Sequence, residues 1–213
     1  MVKDIGKTVI QHSWIMSFRI EEKIPISFFE GTQLIERLRV EGLVNLFPKR
    51  KIVSDYFDNQ KFDLYRDSEE GLLPRKKIRI RYYPDSDNIF LFEKKISSIE
   101  GRYKVSSDLT HTSRNTMNKN GFLDNEYGIL YPVTQISYIR EYYLYKGIRL
   151  TMDSGIMYQD LNSISNSFAE ETGVIELKAS AGTSLDYLIS LIQERRRRFS
   201  KYCNAIKYLN LFD

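Results

Sequence analysis

The strongest constraint in this sequence is a repeated parity of charged and bulky apolar side chains. Lys77, Arg79 and Arg81 alternate with Ile78, Ile80 and Tyr82, and Leu91, Glu93 and Lys95 with Phe90, Phe92 and Ile96. Arg102, Lys104 and Ser106 stand opposite Tyr103 and Val105, Arg149, Thr151 and Asp153 opposite Ile148, Leu150 and Met152, and Glu176 and Lys178 opposite Ile175, Leu177 and Ala179. Near the start, Ser17, Arg19, Glu21 and Lys23 share one parity, with Phe18, Ile20 and Ile24 on the other. A period of two places successive side chains on opposite faces of a strand, so each segment reads as a strand with one charged and one apolar face. An antiparallel sheet commonly turns its polar face to water. Here that face carries dense, mixed charge in strand after strand.

The remaining segments complete an α+β pattern. A helix is expected over about Ser27 to Leu46, with Ser27 and Glu30 spaced as a capping box, Gly31 and Gly42 weakening it and Pro48 closing the segment. Ile52 to Asp58 reads as a strand, and Asn59 to Gly71 as a polar turn with a short helix. The turn from Pro84 to Asn88 joins two strands as a hairpin. The Asn-rich region from His111 to Tyr127 reads as a loop or short helices. Gln135 to Tyr145 and Ile148 to Asp153 form another strand pair around Lys146-Gly147, and a polar loop runs from Gln159 to Thr172. A single long helix is expected over Ser184 to Leu211, burying Leu185, Leu188, Ile189, Ile192, Phe199, Cys203, Ile206 and Leu209. The total is about eight strands, mostly antiparallel, with helices near both ends, in one domain spanning 1–213.

Composition excludes several classes. One cysteine in 213 residues rules out an intrachain disulfide and a cysteine-rich zinc site, and two histidines argue against a histidine-built metal centre. No run of about 18 apolar residues exists and Met1 to Thr8 lacks an apolar signal core, so a cytoplasmic location without a membrane span is expected. The net charge of +4 is too small to argue for nucleic acid, and neither a reading helix nor aromatics interleaved with the basic faces are found.

Two architectures satisfy the parity. In one, a single sheet exposes its charged face to water. In the other, the sheet closes into a barrel whose charged faces line a tunnel and whose apolar faces are covered by helices; about eight strands leave room inside for side chains or one small ligand. Such a tunnel needs a multivalent anion or interspersed carboxylates, because like charges buried without partners are prohibitive.

The residues also carry a resemblance. Arg19-Ile-Glu-Glu-Lys23 resembles the R-x-E-x-K opening strand of VTC domains, the polyphosphate polymerase branch of the triphosphate tunnel metalloenzymes and relatives of the CYTH proteins. Val53 to Asp58 is similar to the family's Y-F-D segment, followed by Asp63-Leu-Tyr65. Lys77 to Tyr82 resembles its K-x-R-x-R strand, Leu91 to Lys95 an E-x-K strand, Ser137 to Arg140 a Y-x-R and Arg149 to Asp153 an R-x-T-x-D. Val174 to Lys178 resembles a second E-x-K, and Phe199 to Tyr202 the F-S-K-Y of the last helix. Each motif alone is weak; eight in order from residue 19 to 202 are specific together.

The resemblance implies an α+β fold built on an antiparallel β-barrel that forms a basic tunnel, with helices outside and a long C-terminal helix. It implies a polymerase that transfers the γ-phosphate of ATP to a polyphosphate chain and releases ADP, with Mn²⁺ or Mg²⁺ as cofactor. Phosphate binding is carried over to Lys23, Arg79, Arg81, Lys95, Arg140, Lys178, Ser200 and Lys201, with Arg79, Arg81 and Lys178 as the catalytic set. Glu176 is the metal-ligand candidate; Glu21 and Glu93 are secondary ligands or orient the basic residues. Arg19 stands where superfamily hydrolases carry the first Glu of E-x-E-x-K, which favours the polymerase-like branch. Expected partners are ATP and polyphosphate or triphosphate, with a separate membrane partner open. Two alternatives remain: a triphosphatase on the same fold and a non-catalytic polyphosphate binder. Of the run Arg195 to Arg198, one or two side chains at most reach a tunnel; His12 and His111 are expected at the surface, Cys203 in the core, and Tyr56 and Phe57 in packing.

Overall fold

A computed structural model describes residues 19–85, 89–180, 182–191 and 198–212. The expectations for Met1 to Phe18, His12, the centre of the turn at 86–88, Ile192 and Arg195 to Arg197 lie outside the described residues. The described residues begin with β1 (Arg19–Ser27) and α1 (Phe28–Val40). The capping box at Ser27 forms as its spacing predicts: Ser27 accepts from the Glu30 backbone N–H, and the Glu30 carboxylate accepts from the Ser27 backbone N–H. The helix stops at Val40, earlier than expected, because Gly42 takes a positive φ of 102°. The residues from Val44 to Leu46 then join β2 (Val44–Asp58), a strand twice as long as its apolar half, with an exposed first half and a fully buried second half.

There follow α2 (Asp63–Glu70), the hairpin of β3 (Arg75–Tyr82) and β4 (Phe90–Ser97), β5 (Arg102–Leu109), α3 (His111–Asn120) and a short β6 (Phe122–Asp124). The long strands β7 (Gly128–Tyr145) and β8 (Ile148–Asp160) come next, then β9 (Ser167–Ala169) inside the expected polar loop, and β10 (Thr172–Ser180). The long C-terminal helix is corrected to two: α4 (Asp186–Leu191) and α5 (Lys201–Tyr208). Ser200 takes an extended conformation (φ −136°, ψ 107°) and its hydroxyl caps α5 by accepting from the Cys203 N–H, so α5 begins anew there.

All pairings are antiparallel, in the order β1-β10-β8-β7-β2-β3-β4-β5, with β6 on β7 and β9 on β8. Among the described residues backbone hydrogen bonds do not close the sheet, and β1 and β5 are its two edges. The register explains the parity. Glu176 faces Thr151 and Lys23, Lys178 faces Arg149 and Glu21, and Arg79 faces Glu93 and Tyr56. Charged positions therefore share one face across the sheet, and the curved sheet turns that face inward.

The outward apolar faces are covered by helices. Leu34, Ile35 and Leu38 of α1 and Leu188 of α4 bury Ile24, Leu150, Met152, Ile175 and Leu177. A second outer cluster joins Leu64 of α2 to Phe57, Ile78, Ile80 and Phe90, whereas α5 packs on the inward face, with Tyr202, Cys203, Ala205 and Ile206 against Tyr56, Ile136, Tyr138 and Tyr158. A fully buried side chain of this size contributes about 1.5–3 kcal/mol. Gly31 sits where α1 crosses β8: a Cβ there would lie 2.6 Å from Met152 Cε, so the residue that weakens the helix also lets it approach the sheet. The Asn-rich stretch is tied down by Arg114, which donates to buried Asp55 (2.8 Å) while lying over Tyr82 and Phe90.

Candidate active site

The inward strand faces enclose a cavity of about 660 Å³. Thirteen lysines and arginines line it against four glutamates, so its excess of positive charge exceeds the +4 of the whole chain. All eleven residues singled out from the sequence, from Glu21 to Lys201, line this one cavity. Placing so many cations in a partly desolvated space is costly unless anions are interspersed, and three groups of carboxylates do this.

Glu93, 2% exposed, lies within salt-bridge reach of Arg79 (2.6 Å), Arg81 (3.8 Å) and Lys104. Burial opposes its ionisation, but Arg79, Arg81 and Lys104 outweigh that and hold its carboxyl far below the usual range. Asp153 takes a bidentate pair from Arg140 (2.6 and 2.7 Å) and a third bond from Lys201 Nζ (2.5 Å). Arg140 also reaches Glu176 at 3.4 Å. Glu176 is buried too; burial is outweighed by Lys23, Arg140 and Lys178, and its carboxyl is held well below the usual range.

Glu21 belongs to both edges of the sheet. Its Oε2 accepts from Arg102 Nη1 of β5 (3.1 Å) and Lys95 Nζ of β4 (3.4 Å), while Lys178 Nζ of β10 lies 3.3 Å from its Oε1. Among the described residues, side chains thus close the tunnel where backbone bonds do not. Lys178 Nζ is also 3.3 Å from Glu176 Oε1, so two carboxylates flank one ammonium.

The N-terminus of α5 lies across the tunnel. Lys77 of β3 donates to Ser200 Oγ (2.7 Å), while Lys201 bonds Asp153 of β8. Ser200 accepts from both Lys77 and the Cys203 N–H, which leaves its own hydroxyl proton to donate. Behind it the Tyr202 ring stacks on Tyr56 with centroids 5.2 Å apart, and the Tyr202 hydroxyl donates to buried Asp58. Burial raises the Asp58 carboxyl to about 6 despite bonds from Tyr202 and the Leu64, Asn59 and Tyr65 N–H groups.

The guanidinium groups differ in commitment. Arg79 is held by Glu93 and by the Tyr56 hydroxyl (2.8 Å). Arg81, 9% exposed, makes only long contacts: 3.3 Å to the Tyr138 hydroxyl and 3.5 Å to Ser54 Oγ. Its fork is the freer of the two for a phosphate. Burial lowers Lys77, and burial with Lys23 and Lys178 nearby brings Lys95 down to about 8, though Glu21 and Glu176 oppose this.

Sequence reasoning missed Tyr56 as a wall residue. Its hydroxyl bonds Arg79; burial would raise its pKa, but Arg79 and Arg81 bring it to about 8. Its parity with Ser54 was the available signal. Asp153, Lys77, Arg149 and Lys104 share the charged parity and also belong to the site or its support. Of the basic run ending at Arg198, Arg198 itself lines the cavity. His111 is exposed against the Phe90 ring edge, and Cys203 is buried with its thiol pushed up by burial.

A divalent cation fits part of this wall. Among the described residues no group of three or more His, Cys, Asp or Glu forms a metal-binding set. Glu21 and Glu176 are nevertheless neighbours on β1 and β10, and Glu21 Oε1 is buried without a hydrogen-bond partner. Two carboxylates, one with an oxygen that accepts no hydrogen bond and has only the Lys178 ammonium beside it, suit a hard cation whose remaining ligands are phosphate oxygens and water. Glu93 suits one less, because both of its oxygens are already engaged, Oε2 by Arg79 and Arg81 and Oε1 by Lys104. No described helix is long and apolar enough to cross a membrane.

Comparison with known proteins agrees with this architecture. The family model described as VTC domain matches residues 7–210. Among solved structures, a candidate adenylate cyclase from Bacillus halodurans superposes with a TM-score of 0.55 at 18% identity, covering 92% of this chain and 91% of its own. A protein from Pyrococcus horikoshii gives 0.54 at 16% identity, covering 89% and 99%. An adenylyl cyclase candidate from Hippeastrum, described as having a dominant triphosphatase activity, gives 0.53 at 15% identity, covering 89% and 95%. No curated protein matches.

Proposed function

This chain belongs to the VTC domain family and has the triphosphate tunnel fold, and from that premise we propose that it is a metal-dependent polyphosphate polymerase acting as a single unit. The observation that carries the reading is the concentration of thirteen cationic side chains around one 660 Å³ cavity. In the proposed reaction a terminal oxygen of the polyphosphate chain attacks the γ-phosphorus of ATP. The new P–O bond lengthens the chain by one phosphate, the bond from the γ-phosphorus to the β,γ-bridging oxygen breaks, and ADP leaves with that electron pair.

Phosphoryl transfer asks for positioning and charge neutralisation more than for covalent help from the protein. Arg81 and Arg79 would grip the transferred group from β3, with Lys178 on the opposite wall. Lys23, Lys95, Arg140 and Lys201 would hold the flanking phosphates, and the Ser200 hydroxyl would donate to one of their oxygens. Glu93 is assigned to orienting Arg79 and Arg81 rather than to a metal. Glu21 and Glu176 would hold Mn²⁺ or Mg²⁺, which when bound supplies further neutralisation of phosphate charge. No side chain is needed as a general base, because a terminal phosphate oxygen is already anionic.

The test is one incubation of the protein with ATP and Mn²⁺, followed by ³¹P NMR and a polyphosphate gel. Internal-phosphate signal with a ladder and ADP release is the expected result. Orthophosphate without a ladder would assign the tunnel to triphosphate hydrolysis. Intact ATP together with tight polyphosphate binding would make it a non-catalytic holder.

A further inference from the structure

One end of the cavity carries a cluster of arginines to which the phosphate-binding set gives no role. Arg75 begins β3 and Arg102 begins β5; each is the register partner of Ser97, the last residue of β4. Two strand spacings, about 10 Å, separate their backbones. Arg198, just before α5, completes the rim, and all four residues line the tunnel cavity.

The way these arginines are held is unusual. Arg75 Nη1 donates to the Gly71 and Leu72 carbonyls (3.2 and 3.0 Å), and Arg198 Nη1 donates to the Glu69 carbonyl (2.8 Å). These carbonyls belong to the last turn of α2 and the residues just beyond it, where the helix dipole presents negative charge. Among the described residues, no carboxylate lies within salt-bridge distance of Arg75 or Arg198. The two are therefore oriented by neutral backbone oxygens, with the Glu69 carboxylate, itself paired with Lys207, the acidic group that feels the charge of Arg198. Arg75 still has its Nε and Nη2 protons to give. Burial and the neighbouring Arg198 and Arg102 lower its pKa, the mark of a cation that lacks a counter-ion. Arg102, in contrast, spends one N–H on Glu21.

Along β3, Arg79 and Arg81 lie about 13 and 20 Å from Arg75. A triphosphate gripped at Arg81 and Arg140 is too short to cover the rim as well, whereas a longer chain running the length of the wall ends there. We propose that Arg75, Arg198 and Arg102, with the Ser97 hydroxyl between them, form a rim site for a distal phosphate of an extended polyphosphate, and that this site makes the tunnel prefer long chains over triphosphate. The inference rests on the polyphosphate reading of the tunnel.

The experiment compares binding of tripolyphosphate and of a long-chain polyphosphate to the full chain by isothermal titration calorimetry, in the parent and in Arg75→Gln, Arg198→Gln and the double variant. Arg102 is left in place because it also closes the sheet edge. The parent should bind the long chain more tightly per molecule than tripolyphosphate. The double variant should lose about tenfold for the long chain, the scale of one charge-assisted contact, while its tripolyphosphate affinity stays within twofold. Equal loss for both anions, or no loss for either, overturns the rim site while leaving the tunnel reading intact. If the parent binds neither anion, the tunnel reading fails and the rim site falls with it. Should Arg75→Gln lower the thermal midpoint through its lost bonds to Gly71 and Leu72, Arg198→Gln alone carries the test: unchanged long-chain affinity in it would count against the proposal.

Discussion

Glu21 on β1 accepts a hydrogen bond from Arg102 on β5 at 3.1 Å, joining the two edges of a sheet that no backbone bond closes among the described residues. Among the described residues side chains bridge this seam, with Lys95 as the second partner of Glu21 across it. Arg102 is more than half exposed, so the pair contributes at most about 1 kcal/mol. Arg102→Ala should therefore leave global stability nearly unchanged yet speed amide exchange along β1 and β5 relative to β7 and β8. Uniform exchange across all strands would show that the seam is not the weak line of the barrel.

Replacing the tunnel arginines should separate binding from stability. Arg81→Ala removes a side chain with long contacts only, so triphosphate affinity should fall by tenfold or more, about 1.4 kcal/mol, with little change in the thermal midpoint. Arg79→Ala leaves buried Glu93 with fewer partners and should cost stability as well, on the order of 1–3 kcal/mol. Adding Glu93→Gln to Arg79→Ala should restore part of the midpoint without restoring affinity. Titration calorimetry and thermal unfolding on the same samples check both outcomes.

Burial, with Lys23 and Lys178 nearby, brings the Lys95 ammonium down to about 8 from its ordinary 10.5. The sign follows directly. Folding disfavours its charged form, so the associated destabilisation is present below about pH 8 and fades as pH rises from there towards 10.5. A bound polyanion favours the charged form. Binding near pH 8–9 should therefore take up a proton, and affinity should fall as pH rises through 8. Calorimetry in two buffers of different ionisation enthalpy reads that uptake, and Lys95→Gln should remove it. Identical heats in both buffers with the parent would count against the shift.

Tyr202→Phe should test how α5 is fixed across the tunnel. The substitution keeps the stack on Tyr56 but removes a hydrogen bond to buried Asp58. A loss of about 1–3 kcal/mol is expected, because a buried acceptor loses a partner. Asp58 keeps its N–H donors from Asn59, Leu64 and Tyr65, so α2 should stay in place. Denaturant unfolding gives the stability change, and faster exchange confined to α5 would locate it.

Two glycines should respond differently to alanine. At Gly173 a Cβ would meet the Asp153 carbonyl oxygen at 2.8 Å, a backbone atom that cannot yield without shifting β10 off β8. Gly173→Ala should cost about 1–3 kcal/mol and disturb the wall that holds Glu176. At Gly31 the obstacle is the flexible end of Met152, and alanine gains helix propensity of about 1 kcal/mol. Gly31→Ala should therefore be close to neutral in chemical denaturation.

Much of this architecture was legible from local sequence because its signals are local. The period-two parity fixed which face of each strand is charged, and Ser27 with Glu30 announced the start of α1. The motifs from Glu21 to Lys201 fell on one cavity wall because antiparallel register aligns equal parities across neighbouring strands. The break between α4 and α5 was less legible: apolar positions resume at Phe199 in step with Ile192, although the six residues between are all polar, and the cap at Ser200 is held also by Lys77 from a distant strand. Tyr56 likewise looked like packing until Arg79, paired beside it in the register, claimed its hydroxyl.

The sequence by itself determined the alternation of charge, and with it which side chains share a face, because that face depends only on the two-residue repeat of an extended backbone. It left open whether the charged face meets water or itself. Only the tertiary structure decided that, by curling the sheet until Glu21 reaches Arg102 and by laying α1, α2 and α4 over the apolar side. It also decided how each cation is used, since a guanidinium held by Glu93, one held by backbone carbonyls and one left nearly free differ only in neighbours brought from far along the chain.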